Sequence, residues 1–134
     1  MYSDPYYRKF ILNTDLRVYV SSTSVDLKKH RVAVIAALRK MGVTPVCMED
    51  YTAQDTLPVD KCIADVAKSE AYVGMFAWRY GFVPHSYDKS IIELEYRKAL
   101  EVGIPTLIFL LDENTDWPQE FCDTHQDEKR IDAL

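Results

Sequence analysis

The chain has 134 residues and a mass of 15.5 kDa, which is the size of one domain. Its composition, 48% hydrophobic and 28% charged, is that of a globular protein and excludes the disordered, fibrous and membrane-spanning classes. Because the formal net charge is −5, the chain lacks the overall basic surface that favours nucleic acid or anionic lipid, and we expect neither partner.

The first third of the chain predicts a strand, a helix and a second strand. Leu16–Val20 is short and rich in β-branched and aromatic residues, which is typical of a strand. Val25–Met41 carries apolar residues at helical spacing, and Ser24 or Thr23 is expected to cap this helix. Thr44–Met48 is then predicted as the second strand.

The same alternation continues along the chain. Pro58–Ser69 is predicted as the second helix, with proline tolerated in its first turn. Ala71–Phe76 is almost wholly apolar, as expected of a strand covered on both faces, and a long aromatic loop, Ala77–Lys89, follows it. A third helix over Ser90–Val102 and a fourth strand over Thr106–Leu111 complete the pattern.

Alternating strands and helices with short connections predict a parallel sheet with helices on both faces. We therefore expect a small doubly wound α/β domain of flavodoxin-like type over residues 16–134, preceded by an N-terminal arm over 1–15. Gln126–Leu134 resembles the opening of a further helix with no strand after it. Either the chain is the N-terminal part of a longer protein, which we favour, or another subunit covers the sheet edge.

The cysteines predict neither a disulfide framework nor a metal site. Cys47, Cys62 and Cys122 are odd in number, lie far apart and form no CxxC pair. No apolar segment of signal-peptide length occurs near the N-terminus, so we expect a cytoplasmic protein.

Polar residues follow the predicted strands, where open parallel sheets bind their ligands. The hydroxyl run Ser21–Ser24 suits a phosphate or a ribose hydroxyl, although helix capping would explain it equally. Glu49 and Asp50 suit the hydroxyls of a sugar or are simply solvated, and Ser90 opens the third helix. Neither GxGxxG nor GxxxxGK[ST] occurs, which argues against a standard dinucleotide fold and a P-loop.

The loop after the third strand combines aromatic and basic residues. Trp78 and Tyr80 offer faces on which a flat base can stack, while Arg79 can meet a phosphate or the carboxylate of Glu95. Alternatively, Trp78 and Phe82 close the hydrophobic core.

Glu95 is the most informative single residue. At about 100° per residue, Ile91, Ile92, Ala99 and Val102 flank the direction in which Glu95 points, so a carboxylate lies on the apolar face of its helix. Burying an unpaired charge costs several kcal/mol or forces protonation. We expect this carboxylate either to be bonded to an arginine or to backbone amides, or to act at the edge of a cleft.

Five blocks of the sequence occur in the order of a known family: Arg17–Leu27, Pro45–Asp50, Tyr72–Gly81, Ser90–Tyr96 and Ile104–Asp112. In these blocks the chain resembles the family called domain of unknown function 4062. Such domains are similar to TIR domains and nucleoside deoxyribosyltransferases. They commonly stand at the N-terminus of NLR-like STAND ATPases in immune or antiviral signalling.

The resemblance implies a TIR-like signalling domain, with catalysis left open. If it is catalytic, it would cleave the N-glycosidic bond of NAD or a related nucleotide, with Glu95 at the ribosyl centre and no further cofactor. The residues expected around the ligand are Ser21, Ser22, Thr23, Asp50, Trp78, Arg79, Tyr80 and Ser90.

One position departs from the deoxyribosyltransferase pattern, in which a threonine precedes the active glutamate by three residues and an alanine follows it by four. Ala99 is in place after Glu95, but Ile92 stands where the threonine would be. The alternative function is therefore a non-catalytic module that self-associates or recruits another signalling domain.

Overall fold

The computed structural model describes residues 15–50 and 59–123. Its main elements are β1 (Arg17–Ser22), α1 (Lys28–Lys40), β2 (Thr44–Val46), α2 (Val59–Ala67), β3 (Ala71–Phe76), α3 (Ile91–Val102) and β4 (Thr106–Leu110). Single 3-10 turns cover Met48–Asp50 and Gln119–Phe121. The predicted arm, apart from Asp15, and the predicted helix opening Gln126–Leu134 lie outside the described residues.

The four strands form one parallel sheet in the order β2-β1-β3-β4. The alternation of side chains along β1 divides the core into two layers. Val20 packs with Leu27 and Ile35 on the side of α1, whereas Tyr19 packs with Val66 of α2 and Ala99 of α3 on the opposite side. The predicted doubly wound α/β fold is confirmed, because both faces of the central strands are covered by helices.

The connection from β1 to α1 differs from the prediction. β1 continues through Ser21 and Ser22, which pair with Gly74 and Met75 of β3. Because these serines belong to the strand, α1 begins later than predicted, at Lys28. No side chain caps its first turn. The expectation that Ser24 or Thr23 caps this helix is therefore wrong.

The sheet has one strongly apolar edge. β4 pairs only with β3 among the described strands, and Phe109 of β4 is 56% exposed. Leu107 and Leu110 are exposed as well. Within the described part of the chain, no helix is both long and apolar enough to cross a bilayer.

Candidate functional site

A cavity of about 230 Å³ lies at the carboxyl ends of β1 and β3, beside the first turns of α3. Several residues predicted from the sequence line it: Ser21, Ser22, Thr23, Arg79 and Glu95. The remaining walls are mostly apolar, and they include Val25, Met48, Phe82, Ile91 and Ile92. The structure thus brings the hydroxyl run, the carboxylate and one basic residue of the aromatic loop to one cavity.

Glu95 is 4% exposed and forms part of the cavity wall. The hydroxyl of Ser21 donates to its Oε1 atom over 3.4 Å, and the hydroxyl of Tyr19 is a second hydrogen-bond partner. Burial raises the pKa of Glu95 from 4.5 to about 7, while Tyr19, Arg31 and Ser21 partly oppose that rise. Burial thus favours the protonated form of this carboxyl over a wider pH range than in an exposed glutamate.

The ends of α3 explain why a glutamate occupies this position. The Ser90 hydroxyl accepts a hydrogen bond from the backbone N–H of Glu93 over 3.2 Å, so the helix begins at Ile91 as a capped turn. Ile91, Glu95 and Ala99 follow at intervals of four and are all buried. The carboxylate is thus held on the sheet-facing side of α3. Ser90 itself caps this helix and does not line the cavity.

Arg31, on α1, is a buried charge at the cavity. It is 2% exposed, and its guanidinium binds both carboxylate oxygens of Glu49, at 2.6 and 2.9 Å. It also donates to the Ser22 hydroxyl over 2.9 Å. This pairing lowers the pKa of Glu49 to about 2. Arg31 therefore has its own carboxylate partner in Glu49, and Glu95 forms no direct ion pair with a residue that the structure describes.

The burial of Arg31 could have been predicted from its spacing in the sequence. It stands four residues after Leu27 and four before Ile35, and both of these are buried. An arginine within an apolar stripe of period four is as notable as Glu95 within the stripe of α3.

Tyr80 does not form part of the cavity wall. Its ring is 3% exposed, its hydroxyl donates to the carboxylate of Glu93, and it accepts the Ser90 backbone N–H over 3.2 Å. Arg97 holds the other side of Glu93 through Nη2 at 2.8 Å. The structure thus uses Tyr80 to attach the aromatic loop to α3, and the expected stacking on a ligand finds no exposed ring there.

Trp78 and Asp50 also lie away from the cavity lining. Trp78 is half-buried, and its carbonyl accepts the backbone N–H of Asp123 over 2.9 Å. Asp50 accepts a hydrogen bond from the Cys47 thiol over 3.3 Å. Since β2 ends at Val46 and the next residues form a 3-10 turn, Met48 reaches the cavity while Asp50 does not.

Phe82 is the aromatic residue that the structure places at the cavity. It is 70% exposed and lines the opening, so it does not close the core as the sequence reasoning allowed. Its position follows from Gly81, which has φ of +95°, a conformation that side chains rarely adopt. A Cβ atom at Gly81 would come within 3.3 Å of both Thr23 and Ile92. The glycine therefore allows the loop to approach the site closely.

The described residues contain no group of three or more His, Cys, Asp or Glu side chains that could hold a metal ion. The chemically distinctive group of the cavity is instead one carboxylate in a mainly apolar pocket, supported by hydroxyl groups. Such a carboxylate can stabilise a cationic carbon or form a bond to it.

Comparison with a solved structure supports the fold. The "2-desoxiribosyltransferase from Leishmania mexicana" superimposes with a TM-score of 0.52 and 19% identity, over 72% of this chain and 65% of that one. This chain thus spans less than two thirds of that protein. The CMP N-glycosidase of Clostridium botulinum gives a TM-score of 0.48 and 14% identity, over 86% and 82% of the two chains.

No curated protein is significantly similar to this chain. Residues 17–134 match the family described as "Domain of unknown function (DUF4062)", and the chain belongs to that family.

Proposed function

We propose that this domain binds a nucleoside or nucleotide in the cavity and breaks its N-glycosidic bond. The observation that carries the proposal is the position of Glu95, a buried carboxylate that faces a cavity and forms no direct ion pair with any described residue. A carboxylate in such surroundings is costly to maintain. A reaction that develops positive charge on a sugar carbon would use it.

The reaction assigns one role to Glu95. As the bond between the anomeric carbon and the base nitrogen breaks, the base leaves with the bonding electrons and the sugar carbon becomes cationic. The ionised Glu95 stabilises that carbon or bonds to it, and water then supplies a hydroxyl to the sugar. The proton of that water goes to a base that leaves as an anion, or to solvent when the base leaves neutral, as nicotinamide does. The Ser21 and Tyr19 hydroxyls orient the carboxylate.

The cavity size and its aromatic rim match this class of ligand. At about 230 Å³ the cavity lies below the roughly 300–1,000 Å³ of typical small-molecule sites, so it suits one nucleoside unit rather than a whole dinucleotide. Phe82 supplies an exposed ring on which the base can stack. If NAD is the substrate, we expect only its nicotinamide riboside half to enter.

The fold similarity supports the same conclusion. The Leishmania structure is named for the transfer of a deoxyribosyl group, and the fold it shares with this chain accommodates such chemistry. Ile92 lines the cavity at the position where the deoxyribosyltransferase pattern has a threonine. The cavity wall is therefore more apolar here than that pattern implies.

Release of the free base tests the proposal. The chain is incubated with NAD, with nucleosides and with nucleoside monophosphates, and liberated base is followed by chromatography. Glu95→Gln should reduce release at least about a hundredfold, since it removes the charge that is needed only in the transition state. Glu101→Gln, an exposed change on the same helix, serves as the matched control. Failure of the wild-type chain to release any base, or equal release by Glu95→Gln, would overturn the proposal.

We propose as a second candidate that the domain acts as an interaction module of a TIR-like signalling protein in the cytoplasm, of the NLR-like STAND kind implied by the family resemblance. The apolar β4 edge favours this function. Leu107, Phe109 and Leu110 are exposed along a strand whose outer backbone groups pair with no described strand. A second copy of the domain or another signalling domain would cover that edge.

Sedimentation velocity over a hundredfold concentration range tests this candidate. Association that Phe109→Lys abolishes and Glu95→Gln preserves would support an edge-mediated module. A monomer at every concentration would contradict self-association.

A further inference from the structure

Arg79 is the arginine of the cavity wall that pairs with no carboxylate among the described residues. It lines the cavity, and no hydrogen bond or ion pair joins its guanidinium to any described residue. Arg31, the other arginine of the lining, is paired with Glu49. Arg79 is therefore the cationic side chain of this cavity that, within the described part of the chain, remains available to a ligand.

The backbone around Arg79 is fixed from both sides by Asp123. The backbone N–H of Asp123 donates to the carbonyl of Trp78 over 2.9 Å, and its carboxylate Oδ2 accepts the backbone N–H of Tyr80 over 2.5 Å. These two bonds bracket Arg79. Since Tyr80 is also attached to Glu93, the segment that carries the arginine has little freedom to turn away from the cavity.

The wall shared with Arg79 is rich in donors. The hydroxyl residues Thr23 and Ser24 line the same cavity. Hydroxyl groups and a guanidinium together suit a phosphate monoester, whose three terminal oxygens offer more acceptors than the two of a carboxylate.

We propose that Arg79 binds a phosphate on the sugar of the substrate and that Asp123 is the positioning residue that holds Arg79 at the cavity. This inference rests on the proposed function and narrows its substrate class to phosphorylated nucleosides. Asp123 touches no substrate and acts through the backbone on either side of the arginine.

Binding of ribose 5-phosphate, compared with ribose, tests the inference without requiring turnover. Titration calorimetry should show that the wild-type chain binds ribose 5-phosphate at least about tenfold more tightly than ribose, as a charge-assisted pair predicts. Arg79→Gln should remove that preference. Arg39→Gln, an exposed arginine change outside the cavity lining, is the matched control and should retain it.

Two Asp123 variants separate positioning from a general effect on folding. Asp123→Ala loses the acceptor for the Tyr80 N–H and should lose most of the phosphate preference. Asp123→Asn keeps an acceptor oxygen and should restore it. A change in stability alone would weaken ribose and ribose 5-phosphate binding alike and leave their ratio unchanged.

Equal affinity of the wild type for the two sugars, no binding of either, or a full preference in Arg79→Gln would overturn the phosphate assignment. A full preference in Asp123→Ala would overturn the role of Asp123. These outcomes differ from failure of the proposed function. An Arg79-dependent preference without any base release would remove the catalysis and leave the phosphate site. Base release at equal rates from nucleosides and their monophosphates would remove the phosphate site and leave the catalysis.

Discussion

Replacing Glu95 by glutamine should stabilise the domain at neutral and alkaline pH and leave its stability almost unchanged in acid. The pKa of Glu95 is raised by burial from 4.5 to about 7, so the folded state holds a proton that the unfolded state releases between these values. The free energy of unfolding of the wild type therefore decreases as the pH rises through this window. Glutamine has no proton to lose and escapes that decrease.

The magnitude follows from the size of the shift. One pKa unit corresponds to about 1.4 kcal/mol, so a change from 4.5 to about 7 costs the wild type about 3 kcal/mol once Glu95 is ionised. Glutamine keeps an oxygen that can accept from Ser21 and Tyr19, so the hydrogen bonds survive the change. The free energy of unfolding of the variant should thus exceed that of the wild type by almost nothing below pH 4.5 and by about 3 kcal/mol above pH 7.

Urea denaturation at a series of pH values measures this difference directly. Other titrating groups, including Glu49 with its lowered pKa, are common to both proteins and cancel. Glu101→Gln should follow the wild-type curve, because this carboxylate is largely exposed. Parallel curves for the wild type and Glu95→Gln would refute the claim that Glu95 is ionised at a cost in a buried site. A variant that is more stable and also inactive is the result expected of a functional carboxylate.

Three further changes test the site. Phe82→Ala should weaken nucleotide binding about tenfold in calorimetry. It should alter the free energy of unfolding by less than about 1 kcal/mol, because the ring is 70% exposed. Unchanged affinity would exclude stacking of the base on this ring. Gly81→Ala should destabilise the domain by about 1–3 kcal/mol in urea denaturation, since φ is +95° and the new Cβ crowds Thr23; wild-type stability would show that the loop relaxes freely. Arg31→Met should lower the free energy of unfolding by about 2 kcal/mol, because it breaks the bidentate pair with Glu49. The loss is limited because the Glu49 side chain is 45% exposed and can be hydrated again. A loss below about 0.5 kcal/mol in urea denaturation would mean that the pair contributes little.

Much of the architecture was predictable because it depends on local periodicity. The strands over Ala71–Phe76 and Thr106–Leu110 and the helix ending before Gly103 follow from apolar spacing and from a glycine with φ of +74°. The end of β1 was not predictable in this way. Whether Ser21 and Ser22 cap a helix or extend a strand depends on pairing with β3, which lies fifty residues further along the chain.

The orientation of the rings in the aromatic loop was even less predictable from local sequence. Trp78, Tyr80 and Phe82 alternate within a few residues, and composition does not distinguish which ring is exposed. The contacts of Tyr80 with Glu93 and of the Trp78 carbonyl with Asp123 decide that Phe82 is the ring at the cavity.

The sequence alone determined that a carboxylate would lie on the inner face of α3, because helical geometry assigns Glu95 to a face without reference to the rest of the chain. Only the tertiary structure decided which charges remain available. Arg31 is bound by Glu49, whereas Arg79 pairs with no described residue. The difference arises because the turn over Met48–Asp50 reaches α1, from which it is distant in sequence. Electrostatic balance depends on distances of a few ångströms across the fold, and the order of residues along the chain does not encode these distances locally.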